Sequence, residues 1–163
     1  MIRIINLFFI IFFLLSAKAY SLIEIDITRG NLDPLPIAVS PLFQDDNSKR
    51  NSINELKIEN VGSEISLVVE NNLKISGLFN PLSKEAFLQK PDIAHLKPRF
   101  EDWALIKAQA LITGKVTIED KKLKVEFRLW DILAGREMMA LAFTTVPSNW
   151  RRVGHIISDK VYE

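Results

Sequence analysis

The side chains that could do chemistry are few and lie far apart in the sequence. The 163-residue chain contains no cysteine, which excludes thiol catalysis and cysteine-bound clusters. Its two histidines, His95 and His155, have no second His or Cys at the spacing of zinc ligands, so we expect them to pack or to cap. No GxSxG, GxGxxG or Walker sequence occurs. The adjacent acids Asp45 and Asp46 fall in a polar stretch, whereas a catalytic pair needs burial to separate its two pKa values. The sequence therefore predicts no enzyme, cofactor, metal site or small-molecule substrate.

Tryptophans and paired arginines are the remaining side chains with functional potential. Trp103 and Trp150 are expected in the core rather than at an interface. Trp130 falls on the polar face of its strand, where it is expected to cover a neighbouring surface. Arg151 and Arg152 are read as a solvated helix face rather than as an anion site. The formal net charge is +1, with 21 basic and 20 acidic residues in no block of like charge, so no nucleic-acid partner is predicted.

The N-terminus has the layout of an export signal. Residues Ile4 to Leu15 read IINLFFIIFFLL, a run too short for a spanning helix, which needs about 20 residues. Arg3 precedes this run, and the small-x-small sequence Ala17-Lys18-Ala19 follows it. We therefore predict a signal peptide over residues 1–19, cleaved after Ala19, with a permanent N-terminal anchor as the alternative. An exported chain without cysteine fits the bacterial periplasm or exterior better than a disulfide-rich lumen.

The first part of the mature chain is an amphipathic strand. Ile23, Ile25 and Ile27 alternate with polar residues across LIEIDIT, which is typical of a half-buried or pairing strand. Such a segment can add to the sheet of a partner, or it can form an edge strand of its own sheet. We therefore divide the mature chain into an extended partner-binding segment, residues 20–35, and a folded domain, residues 36–163.

Hydrophobic periodicity predicts the elements of that domain, a mixed sheet with two helices packed on it. The expected strands are Pro36–Phe43, buried on both faces, and a meander of Ala108–Ile118, Leu123–Leu129 and Glu137–Val146. The expected helices are Ser63–Ser76, with Ser63 as N-cap, a short one over Phe100–Lys107, and a final one opened by Pro147-Ser148. Leu78–Leu82 should be extended, Gln44–Ser52 a solvated loop, and Ser83–Arg99 irregular. One face of the meander should be exposed or covered by another domain.

Five segments in order resemble one family. IEIDITRGNLDPLPIAVSPLF, SGLFNPL, WALIKAQALITGKV, KLKVEFRLWD and NWRRVGHIISDKVYE are similar to the N-terminal domain of the TolB family of the Tol–Pal system. The resemblance covers residues 20–163. It implies a mixed α/β domain of about five strands and two main helices, located in the periplasm and without catalysis.

The resemblance also implies a partner and its binding residues. In the family, the mature N-terminal segment binds the C-terminal domain of the inner-membrane protein TolA, and it corresponds to Leu22–Asp33 of this chain. From the period of two, Ile25 and Ile27 should fill pockets of the partner, and Glu24 and Asp26 should face solvent or basic groups. The expected partner-binding residues are Glu24, Ile25, Asp26, Ile27, Thr28, Arg29 and Gly30. The family's system supports outer-membrane invagination during cell division and outer-membrane integrity, and colicins and filamentous phage use it for import.

One departure from the family limits this transfer. In the family a β-propeller follows this domain, binds Pal, and holds or releases the N-terminal segment; the sequence contains no propeller. It is expected to be a fragment, a truncated gene product or one half of a split pair. Contact with Pal is expected only if a longer chain or a separate gene supplies a propeller. The alternative function is a small-ligand-binding periplasmic domain, which predicts a concave pocket with converging polar groups.

Overall fold

The computed structural model describes residues 33–162. The predicted signal peptide and the predicted partner-binding residues 24–30 lie outside this range. Leu35, which we placed at the end of the extended segment, already belongs to the first strand. In the part of the chain that the structure describes, no helix combines the length and the apolar character needed to cross a membrane.

The described elements are six strands, five helices and two 3-10 turns. The strands are β1 (Leu35–Val39), β2 (Phe43–Gln44), β3 (Phe79–Pro81), β4 (Ala110–Glu119), β5 (Lys122–Asp131) and β6 (Arg136–Thr145). The helices are α1 (Asp46–Leu56), α2 (Val61–Ile75), α3 (Pro91–Ala94), α4 (Phe100–Leu105) and α5 (Trp150–Tyr162). The 3-10 turns are Lys84–Ala86 and Pro147–Asn149.

The strands form one mixed sheet in the order β3-β1-β4-β5-β6, which confirms the predicted fold class. β1 runs parallel to β3 and β4, and β4, β5 and β6 form the predicted antiparallel meander. The sheet has six strands because the predicted strand Pro36–Phe43 is interrupted. Leu42 leaves the ladder and donates its N–H to Ser66 Oγ on α2 at 2.9 Å. The chain then returns to β4 as β2.

The main core lies between one face of the sheet and the helices α2 and α5. Ile65 and Leu73 of α2 and Ile157 of α5 are fully buried against it. The two helices cross closely at Gly154, where an added Cβ would lie 2.8 Å from Val68 Cγ1. A small residue at this position therefore sets the distance between the two helices.

The third long helix, α1, corrects the prediction of a solvated loop over Gln44–Ser52. Asp45 caps α1 by accepting the N–H of Ser48 at 2.8 Å. Ser48 and Ser52 are buried and hydrogen-bonded: Ser48 Oγ accepts the N–H of Ile118 at 3.2 Å, and Ser52 Oγ donates to the Ile58 carbonyl at 2.7 Å. The helix thus packs partly through hydroxyl groups, which a hydrophobic pattern does not reveal.

The N-cap of α2 also differs from the prediction. The helix begins at Val61, and Asn60 Oδ1 accepts the N–H of Ser63 at 3.0 Å. Ser63 therefore lies within the first turn and does not cap the helix. The predicted end is close to the observed one, because Gly77 has a φ of +73° just after the helix.

The opposite face of the sheet has a smaller core that corrects the expectation for Trp130. This side chain is 7% exposed, its Nε1–H donates to Thr113 Oγ1 at 2.8 Å, and Phe100 packs edge-on against it. The covering residues come from the stretch 83–107, which contains one 3-10 turn and the short helices α3 and α4. Trp130 therefore lies on the predicted face, but it is buried by its own chain. Trp103 and Trp150 are buried as predicted.

Candidate functional surface

The predicted partner-binding residues 24–30 precede the described residues, so the structure shows only the body to which they are joined. β1 lies in the interior of the sheet, with β3 on one side and β4 on the other. β3 pairs with residues 35–37 of β1, and β4 pairs with residues 37–39 on the other side. Within residues 33–162, no position is open for a further strand directly beside β1.

An apolar cavity of about 260 Å³ lies at the end of the sheet where β1 begins. Leu35, Phe79, Leu129, Leu133 and Val161 are among the residues that line it. Leu133 is 76% exposed. The polar side chains in this lining are Gln109 and Asp131. Asp131 Oδ1 already accepts the N–H of Ala134 at 2.9 Å. This cavity therefore offers aliphatic contact and few free polar groups.

A larger, polar cleft of about 370 Å³ lies beside the N-terminus of α1. Its polar side chains on and just before α1 already have partners within the fold. Asn51 Nδ2 donates to the Ile118 carbonyl at 2.7 Å, and Arg50 donates to Asn47 at 2.5 Å. Asp45 accepts from Ser48 and faces Lys115 at 3.8 Å. These bonds stabilise α1, and the two cavities together give no support to the small-ligand alternative.

The shifted carboxyl pKa values have structural causes. The hydrogen bond from the Ser48 N–H lowers the pKa of Asp45, with further lowering by Lys115. The hydrogen bond from Lys124 lowers the pKa of Glu126 on β5. Asp45 holds its negative charge more firmly as part of a helix cap, and Glu126 does so as part of an ion pair within β5. A general acid requires a raised pKa, and the shifts of Asp45 and Glu126 go in the opposite direction.

The histidines have packing roles. The ring of His95 stacks on Phe43 with centroids 4.5 Å apart, and its Nδ1 lies 3.0 Å from the carbonyl of Pro91, the first residue of α3. His155 Nδ1 lies 2.9 Å from Asn72 Nδ2, between α5 and α2. Among residues 33–162, no group of three or more potential metal ligands was found.

The outer edge of β6 is a candidate surface that the sequence did not indicate. Arg136 to Thr145 pair with β5 on one side, and along the described chain no strand pairs with the other side. Met138 is 60% exposed and Leu141 is 37% exposed on this strand. The sequence feature that could have indicated this edge is that the predicted third strand of the meander, Glu137–Val146, is apolar on both faces. Arg152, interpreted as part of a solvated helix face, lines a groove beside this edge.

Comparisons with known proteins agree with the resemblance seen in the sequence. The profile of the TolB amino-terminal domain matches residues 23–138. The Tol-Pal system protein TolB of Pelagibacter ubique is 74% identical over 155 residues, which are 95% of this chain and 35% of that protein. The chain thus spans about a third of the length of this curated relative.

Solved structures show the same fold. The crystal structure of TolB from Acinetobacter baumannii aligns with a TM-score of 0.61 at 20% identity, over 79% of this chain and 27% of that chain. A lipoprotein from Neisseria meningitidis aligns with a TM-score of 0.50 at 18% identity, over 79% of this chain and 95% of that chain. TolB is a non-enzymatic component of the Tol–Pal system, in agreement with the prediction that the chain is not an enzyme. The chain belongs to the TolB family and carries the family's amino-terminal domain.

Proposed function

We propose that this chain acts in the periplasm as a component of a Tol–Pal system, and that its N-terminal segment binds the C-terminal domain of TolA. Residues 1–19 serve as the signal peptide, residues 20–34 as the binding segment, and residues 35–163 as the body, since Leu35 is already paired in β1. The observation that carries the proposal is the family match, which begins at residue 23 and so includes the predicted binding residues 24–30. The high identity to a TolB over 95% of the chain supports it.

The segment binds by strand addition. Its backbone hydrogen bonds supply affinity, and its alternate side chains set the register. Ile25 and Ile27 enter pockets of the TolA domain, while Glu24 and Asp26 face solvent or basic groups. The occupied sides of β1 support this mode, since the segment has no open place beside the strand that follows it.

The body serves to carry the segment. The apolar clusters on both sheet faces join β1, β4 and β5 to α2, α5 and the stretch 83–107. Binding by the segment therefore requires no opening of these clusters. Ordering a short segment on a partner costs free energy, so we expect weak and rapidly exchanging binding.

The wider role follows from the system to which the family belongs. The chain contributes to outer-membrane invagination during division and to outer-membrane integrity, and colicins and filamentous phage use the system for import. It contacts Pal only where a propeller is supplied by a longer chain or by a separate gene. A strain that lacks the segment should become sensitive to detergent and form chains of undivided cells.

A titration tests the TolA contact directly. Labelled mature protein, residues 20–163, is titrated with the soluble C-terminal domain of TolA. Deletion of residues 20–33, or Asp at both Ile25 and Ile27, should abolish binding and leave the melting temperature nearly unchanged. Leu105→Asp is the matched control, because Leu105 is 75% exposed on the body and should tolerate the same change. Undiminished binding after the deletion would refute the mechanism.

A further inference from the structure

The two edges of the described sheet differ in how they are protected. β3 is three residues long and includes Pro81, which has no N–H to offer. β6 is ten residues long, and residues 138–145 carry no charge and no proline. Natural proteins usually block a sheet edge with charge, proline, a bulge or short length. β6 has such protection only near its N-terminal end. Arg136 and Glu137 lie there, and so does the register shift opposite Leu129.

A groove follows the outer edge of β6 where the protection is missing. It has a volume of about 340 Å³ and lies between β6 and α5. Four consecutive residues, Ala142 to Thr145, line it. Side chains of consecutive strand residues point to opposite faces, so the groove runs along the edge of the strand. Val153 and Ile156 form its apolar wall on α5.

The lining of the groove carries one positive charge. Arg152 is the one charged residue in its lining, and it is exposed. Within the described residues Arg152 has no ion-pair partner. Asn149, at the same mouth, already donates to Thr145 Oγ1 at 3.0 Å. A carboxylate at this end of the groove would therefore meet an uncompensated guanidinium.

We propose that the outer edge of β6 accepts an extended segment of another protein, which pairs with residues 139–145 as an added strand. The segment carries aliphatic side chains at alternate positions, and these fill the groove against Phe143 and Ile156. It carries a carboxylate that pairs with Arg152. In this contact the chain receives a strand, so the site is separate from the N-terminal segment and does not depend on the TolA contact.

The test uses a synthetic seven-residue peptide on the mature protein, residues 20–163. The acetylated and amidated peptide Thr-Ile-Glu-Ile-Thr-Ile-Ser should shift backbone NMR signals of β6 and of residues 149–156, and slow amide exchange on β6. A peptide of the same composition in which the three isoleucines are adjacent should bind at least about tenfold more weakly, since it loses the alternation. In an added strand, the N–H groups of alternate residues point toward β6 and those of the other residues point away from it. N-methylation of the residues that point toward β6 should therefore abolish binding, whereas N-methylation of the others should not.

Charge-reversal variants test whether the peptide binds in the groove beside Arg152. Arg152→Glu should weaken binding of the glutamate peptide about tenfold and favour a lysine peptide in its place. Arg151→Glu is the matched control, because Arg151 lies over the ring of Trp150 instead of in the groove, and its effect should stay within about twofold.

Three results would overturn the proposal. The first is the absence of shifts on β6 at millimolar peptide. The second is binding that appears only after residues 20–32 are removed, which would mean that the chain covers its own edge. The third is sedimentation of the mature protein as a dimer that Leu141→Lys dissociates while the peptide fails to bind, which would make the occupant a second copy.

Discussion

The close crossing of α2 and α5 allows one packing prediction to be worked out in detail. In Gly154→Ala, the new Cβ would lie 2.8 Å from Val68 Cγ1 and 2.9 Å from Val68 Cβ. Forcing a methyl group into such a contact costs about 1–3 kcal/mol. The better helix propensity of alanine returns about 1 kcal/mol. We therefore expect a net loss of about 1 kcal/mol in the free energy of unfolding.

A double-mutant cycle separates these contributions. Val68→Ala removes Cγ1, the nearer of the two Val68 atoms that the new Cβ would meet, and leaves Val68 Cβ in place. Gly154→Ala should therefore be less destabilising in that background than in the wild type. The coupling between the two substitutions should be about 1 kcal/mol. Urea unfolding followed by circular dichroism measures all four proteins. Gly77→Ala is the control: its φ is +73° and nothing lies within 4 Å of the added Cβ, so it should be destabilising with no rescue by Val68→Ala. If Gly154→Ala alone stabilises the protein by about 1 kcal/mol, the helices do not approach as closely as described.

Three further predictions concern the polar contacts of the body. Ser48→Ala leaves the buried N–H of Ile118 without its acceptor and should cost about 1–3 kcal/mol in urea unfolding, whereas an unchanged midpoint would exclude a role in holding α1. Asp45→Ala should cost about 1 kcal/mol at pH 7. The pKa of Asp45 in the folded state lies below its ordinary value of 3.8. The ionic part of its contribution to stability is therefore present above pH 3.8 and is lost as the pH falls through the folded-state pKa. The difference in stability between Asp45→Ala and the wild type should thus be smaller at pH 2 than at pH 7. Gln89→Leu removes the acceptor of the Trp103 Nε1–H, which lies at 2.8 Å, and should speed amide exchange across residues 88–103 more than in α2 or α5; uniform acceleration would contradict a local role.

The meander and the last helix could be predicted because their own side chains carry the pattern. Leu123, Val125 and Phe127 alternate with polar residues and are buried. Val153 and Ile157 form the predicted apolar stripe of α5. In these elements one face meets the core and the other meets solvent, so local sequence contains enough information.

Other elements depend on contacts that the local pattern does not contain. The fold buries α1 through the hydroxyl groups of Ser48 and Ser52, so hydrophobic periodicity did not reveal that helix. The break between β1 and β2 depends on Ser66, which is 24 residues away from Leu42 in the sequence. The burial of Trp130 depends on Phe100 and its neighbours, which reach it from another part of the chain.

The candidate functional sites also differ in whether local sequence is enough to predict them. The absence of a catalytic constellation was predicted from residue types, and membership of a non-enzymatic family agrees with it. The partner-binding residues 24–30 remain a prediction, since they precede the described residues. The open edge of β6 needed the structure, because strand order decides which strand lies at the edge of a sheet.

In the proposed function the first mature residues bind a partner while the body only carries them. NMR spectroscopy of uniformly labelled mature protein, titrated with unlabelled TolA C-terminal domain, tests it most directly. We expect the signals of residues 22–30 to shift on binding and those of residues 40–160 to stay in place. Large shifts in the body, with residues 22–30 unaffected, would contradict it.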